Sequence, residues 1–199
     1  SRWLNAVSLM CNESQLDRLS SLAFVKNITP VFRYKNSFNK SLKSDFREYD
    51  YGDSEEQIQQ ISAHELHNLG FTGQGIRILV MDTGFDLTHN AFLNINLAGQ
   101  WDFINNDNET ANENADEQNQ NQDYHGTAVL STIAGYDPGN FIGVAFDAEF
   151  LLAKTESVSD EYQGEEDNFI AGLEWGEANG ADIVSSSLGY IDWYDYEDM

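Results

Sequence analysis

The chain has 199 residues, of which 41% are hydrophobic and 13% aromatic, so one domain with a core and a small appendage is expected. Its formal net charge of −24 disfavours nucleic acid and anionic membranes as partners. Cys11 is the single cysteine, which excludes an intrachain disulfide and predicts a core thiol. No apolar run approaches the roughly 18 residues of a membrane helix, and because the chain opens with Ser1, we expect any signal peptide to lie upstream.

The charges are distributed unevenly along the chain. Residues 1–47 contain eight of the ten basic residues and three acidic ones, a balance of +5. Residues 48–199 contain the other two bases and 31 acids, a balance of −29. Opposite charges orient and speed association, which predicts that the two pieces attract each other. The alternative is an acidic surface that only keeps a secreted or salt-adapted protein soluble.

Residues 1–35 have the pattern of a small β-α-β unit. The predicted elements are a strand over residues 3–10, a helix over residues 13–23 and a strand over residues 24–34. Asn12 is suited to cap the helix, and three leucines recur at helical spacing, which predicts one buried helix face. These leucines are Leu16, Leu19 and Leu22.

Residues 36–53 are polar and contain several lysines and serines, which indicates a linker. A second domain is predicted over residues 54–199. Ser54 is followed three positions later by Gln57, a capping-box pattern that predicts the start of a helical region ending by Gly70.

The second domain alternates between predicted strands and helices. Strands are predicted over residues 76–81, 97–103, 149–154 and 182–187, and helices over residues 125–134 and 167–179. Residues 105–123 are rich in Asn, Asp and Glu, which predicts a long mobile loop. The alternation is typical of an α/β fold in three layers, with a parallel sheet between helices on both faces.

Asp82 ends the most apolar predicted strand, within the sequence Val-Met-Asp-Thr-Gly. The carboxyl end of a parallel strand is a common place for functional polar residues, and Gly84 permits a tight turn there. A buried Asp that accepts hydrogen bonds can hold an imidazole in one tautomer and stabilise its charged form during acyl transfer.

His125 begins the sequence His-Gly-Thr-Ala-Val at the head of a predicted helix. Gly126 leaves space beside the imidazole, and histidine suits general base and general acid chemistry near neutral pH. The other three histidines, His64, His67 and His89, lack a comparable glycine-bearing turn and are interpreted as surface or core residues.

A third segment, residues 181–189, predicts a buried strand that becomes small and polar at its carboxyl end. Ser187, Leu188 and Gly189 are the candidate substrate-binding residues, since an extended peptide can pair with an exposed backbone edge. An ordinary strand end is the alternative interpretation of this segment alone.

The three segments in this order, with Ser-Thr-Ile-Ala-Gly and Gly-Val-Ala between them, resemble the subtilisin-like serine peptidases, or subtilases, over about residues 55–199. The resemblance implies a subtilisin-like fold in which Asp82 orients His125 and His125 deprotonates a serine. It implies that the strand end at residues 187–189 forms one wall of a cleft for a protein or peptide substrate. The implied reaction is peptide bond hydrolysis through an acyl-enzyme by a secreted enzyme.

Residues 1–35 resemble the later part of a subtilase propeptide, a small α+β domain that assists folding and plugs the cleft. A basic plug on an acidic body agrees with the charge distribution. A cut in the linker would release it, and mature protein beginning near Tyr49 is expected.

The sequence departs from the subtilase pattern at the nucleophile, at Ala128, where the family often has a second histidine, and at Ala91. Neither the Gly-Thr-Ser turn of the nucleophile nor the segment with the oxyanion Asn occurs in these 199 residues, so the sheet is expected to be incomplete and the chain alone inactive. The nucleophile is expected in a C-terminal half, as part of a longer precursor or as a separate chain. Ala91 replaces an acid that several subtilases use for calcium, and residues 105–123 lack calcium-loop spacing. No cofactor is expected to be required, and a structural calcium ion is an open alternative that the sequence does not support. The alternative function is a non-catalytic peptide-binding or scaffolding module.

Overall fold

The computed structural model describes residues 11–28, 49–159 and 164–190. The chain divides into two compact units, Ser1–Lys43 and Ser44–Met199. This division falls inside the stretch 36–53 that the sequence assigns to a linker. The assignment of residues 1–35 to a propeptide-like domain stays a prediction.

The first unit contains helix α1 (Glu13–Ser20), and its cap confirms the role predicted for Asn12. The Asn12 side chain accepts from the Gln15 backbone N–H at 3.0 Å, and the Gln15 side chain accepts from the Asn12 N–H at 3.0 Å. This reciprocal pair satisfies two backbone donors of the first turn. Cys11 is exposed, so the predicted core thiol is wrong. Residues 24–28 form no strand, and the rest of the two predicted strands lies outside the described residues.

The second unit alternates helices and strands, as the sequence predicts. Its helices are α2 (Glu55–Gln60), α3 (Ala63–Asn68), a 3-10 turn (Asn90–Phe92), α4 (Ala115–Gln120), α5 (Tyr124–Ala134) and α6 (Glu165–Ala178). Its strands are β1 (Arg77–Asp82), β2 (Asn96–Asp102), β3 (Tyr136–Asp137), β4 (Phe141–Ile142), β5 (Glu149–Lys154) and β6 (Ile183–Ser186). No helix in the described ranges is both long and apolar enough to cross a membrane.

Four strands form a parallel sheet in the order β2-β5-β1-β6. Alternate residues of β1 point to opposite faces, so Ile78 and Val80 belong to one core with Leu130 of α5. Leu79 and Met81 belong to a second core, against which Leu173 of α6 packs. A helix therefore covers each face of the sheet, which confirms the three-layer α/β arrangement.

Residues 105–123 differ from the prediction of a long irregular loop. They contain α4, whose cap is the Asn114 side chain, which accepts from the backbone N–H groups of Asp116 and Glu117 at 3.0 Å each. Sequence composition favoured a loop because Asn, Asp and Glu are weak strand and core formers. The same residues become ordered here through hydrogen bonds to one another.

Ser54 does not form the predicted capping box. Its hydroxyl donates to the Ile142 carbonyl at 2.9 Å and accepts from the Ile142 N–H at 3.0 Å. The serine is 1% exposed and joins the start of α2 to β4, a strand 88 residues away in sequence. A tertiary contact has therefore replaced the local one that the sequence pattern predicts.

Candidate active site

The carboxyl ends of the four parallel strands place polar residues side by side at one edge of the sheet. In β1 the last residue is Asp82, and the register puts Lys154 of β5 next to it on one side. On the other side Met81 pairs with Ser186, so the segment that follows β6 begins at the same edge. Asp102, at the end of β2, pairs with Lys154 in turn.

Asp82 and His125, predicted separately from two segments, lie in direct contact. Oδ1 of Asp82 is 2.6 Å from Nδ1 of His125, and it also accepts the backbone N–H of Thr83 at 2.8 Å. Asp82 is fully buried, whereas the His125 side chain is 52% exposed. The carboxylate is thus held from one side by the protein while the imidazole remains accessible.

Gly126 permits the close approach between α5 and the turn after β1. A Cβ at this position would meet the carbonyl oxygen of Gly84 and lie 3.0 Å from Cβ of Asp82. Gly84 has φ of 138°, in the region that favours glycine. Thr127 adds a further tie, since its Oγ1 donates to the Asp123 carbonyl at 2.5 Å and accepts the Asp86 N–H at 2.8 Å.

Two of the other histidines, His67 and His89, lie in the core and at the surface, as the sequence suggests. His67 is 2% exposed, and its ring nitrogens lie 2.9 Å from the Tyr51 hydroxyl and 3.0 Å from the Val144 carbonyl oxygen. His89 caps the 3-10 turn by accepting the Ala91 N–H. Neither contacts Asp82.

Ser187, Leu188 and Gly189 follow β6 without regular structure. Ser187 and Gly189 are exposed and Leu188 is half-buried. A Cβ at Gly189 would meet no atom within 4 Å, so open space lies beside its backbone. The segment leaves the same sheet edge as Asp82, and its role in binding a substrate stays a prediction.

Lys154 is a fully buried cation beside Asp82 that sequence reasoning did not single out. Its ammonium group lies 2.8 Å from Oδ2 of Asp102 and 3.0 Å from Oε1 of Glu117. Asp102 is itself fully buried and also accepts the backbone N–H groups of Ile104 at 2.6 Å and Asn105 at 2.9 Å. We call Lys154, Asp102 and Glu117 the ion triad; it joins the ends of β2 and β5 to α4.

The pKa values of two triad members follow from these contacts. Burial alone lowers the pKa of Lys154, but hydrogen bonds and charge attraction from Asp102 and Glu117 outweigh burial and raise it. Burial raises the pKa of Glu117, yet hydrogen bonds from the Glu113 N–H, Asn105 and Lys154, with the Lys154 charge, lower it overall. Both shifts favour the charged forms.

Gln122, three residues before His125, is a second polar residue that sequence reasoning missed. It is 3% exposed, and its Nε2 donates to the carbonyl oxygens of Thr83 and Glu156 at 2.7 Å each. Its Oε1 accepts the Val158 N–H at 2.8 Å. The side chain thus links the segments that follow β1 and β5 to the start of α5. The sequence does not single out Gln122, because the residue lies in a run of similar amide side chains.

Three acidic side chains, including Asp102 of the triad, lie close enough together to offer oxygen ligands to one metal ion. Oxygens of Asp102, Asp107 and Glu113 lie within 4.8 Å of one another. The Lys154 ammonium already neutralises Asp102, and Asn105 donates to Asp102 and Glu113 at 3.2 and 2.7 Å. Protein cations and donors therefore occupy much of the oxygen surface that an ion would use.

The part of the chain that contains Asp82 and His125 matches a known protein family. The profile of the Subtilase family matches residues 73–197, which includes Asp82, His125 and the segment after β6. The chain belongs to the subtilase family. Its parallel sheet and flanking helices are those of a partial subtilisin-like domain.

Several subtilases are similar in sequence to this chain. The minor extracellular protease Vpr of Bacillus subtilis is 28% identical over 187 residues, covering 92% of this chain and 22% of Vpr. Subtilisin E of the same species is 32% identical over 135 residues, covering 66% of this chain and 32% of the relative. The CspB protease structure from Clostridium perfringens has a TM-score of 0.49 and 22% identity, covering 64% of this chain and 31% of CspB. The chain thus spans less than half the length of each of these proteases.

Proposed function

We propose that this chain is the N-terminal portion of a secreted serine endopeptidase, with Asp82 and His125 as two members of its catalytic triad. The observation that supports it is the 2.6 Å contact between the buried Asp82 carboxylate and Nδ1 of His125. A carboxylate on Nδ1 fixes the tautomer in which Nε2 is free to accept a proton. No described residue hydrogen-bonds to Nε2, and the ring is half-exposed.

The proposed reaction divides the work between this chain and a serine outside these 199 residues. His125 takes the serine proton at Nε2 as the hydroxyl oxygen attacks the peptide carbonyl, and it later gives that proton to the leaving amine. Asp82 stays ionised and stabilises the imidazolium that forms in between. Water then hydrolyses the acyl-enzyme by the same steps. The reaction calls for no metal or cofactor.

A further part of the same protein is the proposed source of the serine. β6 is an edge strand of the described sheet, and its Ile183 and Val184 side chains are 51% and 46% exposed. Apolar side chains on an unpaired edge strand favour pairing with another segment. A C-terminal half that pairs there would bring its residues to the sheet edge that holds Asp82 and His125.

The segment after β6 is proposed as one wall of the peptide-binding cleft. Because the space beside Gly189 is open, Gly189→Ala alters the cleft without touching the core. We expect the variant to keep the melting temperature of the full-length protein while raising KM for peptides severalfold. An unchanged KM would remove Gly189 from the cleft.

The basic N-terminal segment is proposed to act as an intramolecular inhibitor. Its charge balance of +5 is opposite in sign to the −29 of the rest of the chain, which favours association. The alignment with the extracellular protease Vpr spans 187 residues, more than residues 44–199 contain, so it reaches into this segment. A peptide of residues 1–43 added to the mature protein should inhibit it, and less so at high salt. Inhibition that is absent at low salt would refute this role.

A fluorophosphonate probe, which labels activated serines, tests the catalytic proposal on the full-length protein. We expect a labelled serine outside residues 1–199, with labelling lost in His125→Ala and retained in His89→Ala. His89 is the matched control because it is exposed and caps a 3-10 turn apart from Asp82. No labelling of the folded full-length protein would instead favour a non-catalytic peptide-binding module.

A further inference from the structure

We propose that Gln122 is a positioning residue that sets the distance between Asp82 and His125. The inference rests on the proposed triad, but it concerns a contact that exists within this chain. Gln122 touches neither the Asp82 carboxylate nor the imidazole; it acts on the two backbone segments that present them.

A chain of hydrogen bonds leads from Gln122 through Thr83 and Asp82 to His125. Nε2 of Gln122 donates to the carbonyl of Thr83, and the N–H of Thr83 donates to Oδ1 of Asp82 at 2.8 Å. The same Oδ1 contacts His125, which follows Gln122 by three residues along the chain. The turn after β1 and the first turn of α5 are thereby tied together on both sides of the Asp82 contact.

The segment after β5 is held by the same amide. Nε2 also donates to the Glu156 carbonyl, and Oε1 accepts the Val158 N–H. The side chain therefore uses both donors and its acceptor, each at 2.7 or 2.8 Å, in a position that is 3% exposed. Three satisfied hydrogen bonds in a buried site restrict the rotamer and the segments that it joins.

Only an amide of this length meets the three partners. A glutamate would set a carboxylate oxygen against the carbonyl oxygens of Thr83 and Glu156, and a methionine would leave both without a donor. A pocket of about 340 Å³ beside Gln122 leaves room for the unbranched side chain of methionine, so we expect Gln122→Met to fold. Loss of the tie, rather than steric conflict, is then the main effect of this variant.

The first readout is the Nδ1 proton of His125, observed by ¹⁵N-edited proton NMR of the full-length protein. A proton in a short hydrogen bond to a buried carboxylate is shifted downfield and exchanges slowly with water. We expect this signal in wild type and in Gln118→Met, the matched control on the exposed side of α4, and its loss in Gln122→Met. Gln122→Asn, which is shorter by one methylene, serves if the methionine variant does not fold.

The second readout is steady-state kinetics, which separates positioning from binding. A displacement of about 1 Å at a catalytic group costs on the order of 100-fold in rate, so kcat should fall by about that factor while KM changes less than about twofold. A buried amide with a structural role alone would lower the melting temperature and leave the NMR signal in place.

The two readouts distinguish the inference from the function on which it rests. If wild type shows the downfield proton but hydrolyses no peptide, the proposed function fails, and loss of the signal in Gln122→Met still supports positioning. If Gln122→Met is folded and keeps the wild-type signal and kcat, the positioning role of Gln122 is refuted.

Discussion

Replacing Lys154 by methionine tests how the acidic segment before His125 is held. The substitution keeps an unbranched side chain that is one atom shorter, and it removes the cation that Asp102 and Glu117 share. Breaking a buried ion pair from one side costs about 3–5 kcal/mol, because the remaining charge stays buried. Asp102 would keep the N–H groups of Ile104 and Asn105, so we expect the lower end, about 3 kcal/mol of unfolding free energy.

Arg77→Met is the matched control, since it removes a cation from the other end of the same strand pair. The guanidinium Nη2 of Arg77 lies 2.6 Å from Oε2 of Glu149, but the two side chains are 35% and 39% exposed. An exposed pair is worth about 1 kcal/mol or less, so the control should lose far less stability in urea denaturation. Adding Asp102→Asn to Lys154→Met should recover part of the loss. Equal losses of unfolding free energy in Lys154→Met and Arg77→Met would show that burial does not strengthen the ion triad.

The ion triad also predicts how the stability difference between wild type and Lys154→Met depends on pH. The pKa of Glu117 is lowered below its ordinary 4.5, so its stabilisation is present above that pH and is lost as pH falls through the folded-state pKa. The pKa of Lys154 is raised above 10.5, so its stabilisation is present below that pH and is lost as pH rises through the folded-state value. The difference in unfolding free energy between wild type and Lys154→Met should be constant between these two pH limits and should become smaller in acid. A difference that becomes larger in acid would contradict the stabilising role of ionised Glu117.

Two further predictions concern the helix start and the N-terminus. Gly126→Ala places a Cβ against the turn after β1, so we expect a loss of about 1–3 kcal/mol and of probe labelling, whereas Gly99→Ala, whose Cβ would lie an ordinary 3.4 Å from Leu151, should label normally. Normal labelling of Gly126→Ala would contradict the close approach. Mature protein should begin at or before Tyr49, because its ring packs 5.5 Å from that of Phe146 and the following residues pair with the β3–β4 hairpin. N-terminal sequencing that finds a start beyond residue 53 would contradict this.

Much of the fold follows from local pattern. The unbroken apolar run before Asp82 predicts a strand buried on both faces, and the structure has β1 between β5 and β6. The predicted bounds of the strand over residues 149–154 are those observed, since its ends are marked by a change from apolar to polar residues. The predicted helix over residues 125–134 differs by one residue.

Predictions from local sequence pattern were wrong where a residue has a partner far away in the sequence. Ser54 has the sequence of a capping box, yet β4 supplies better partners in a buried position. Residues 115–120 have the composition of a solvated loop, but the charge of Lys154 gives Glu117 a buried partner and helps to order α4.

Short motifs and the periodicity of apolar residues are local features, and they were enough to predict the family resemblance, the layered α/β order and the candidate residues Asp82 and His125. The 2.6 Å contact between Asp82 and His125, and the buried contacts of Gln122 and Lys154, could be seen only in the folded chain. Their roles come from burial and from partners more than 30 positions away, and the physical reason is that a polar residue acquires such a role only when folding removes it from water.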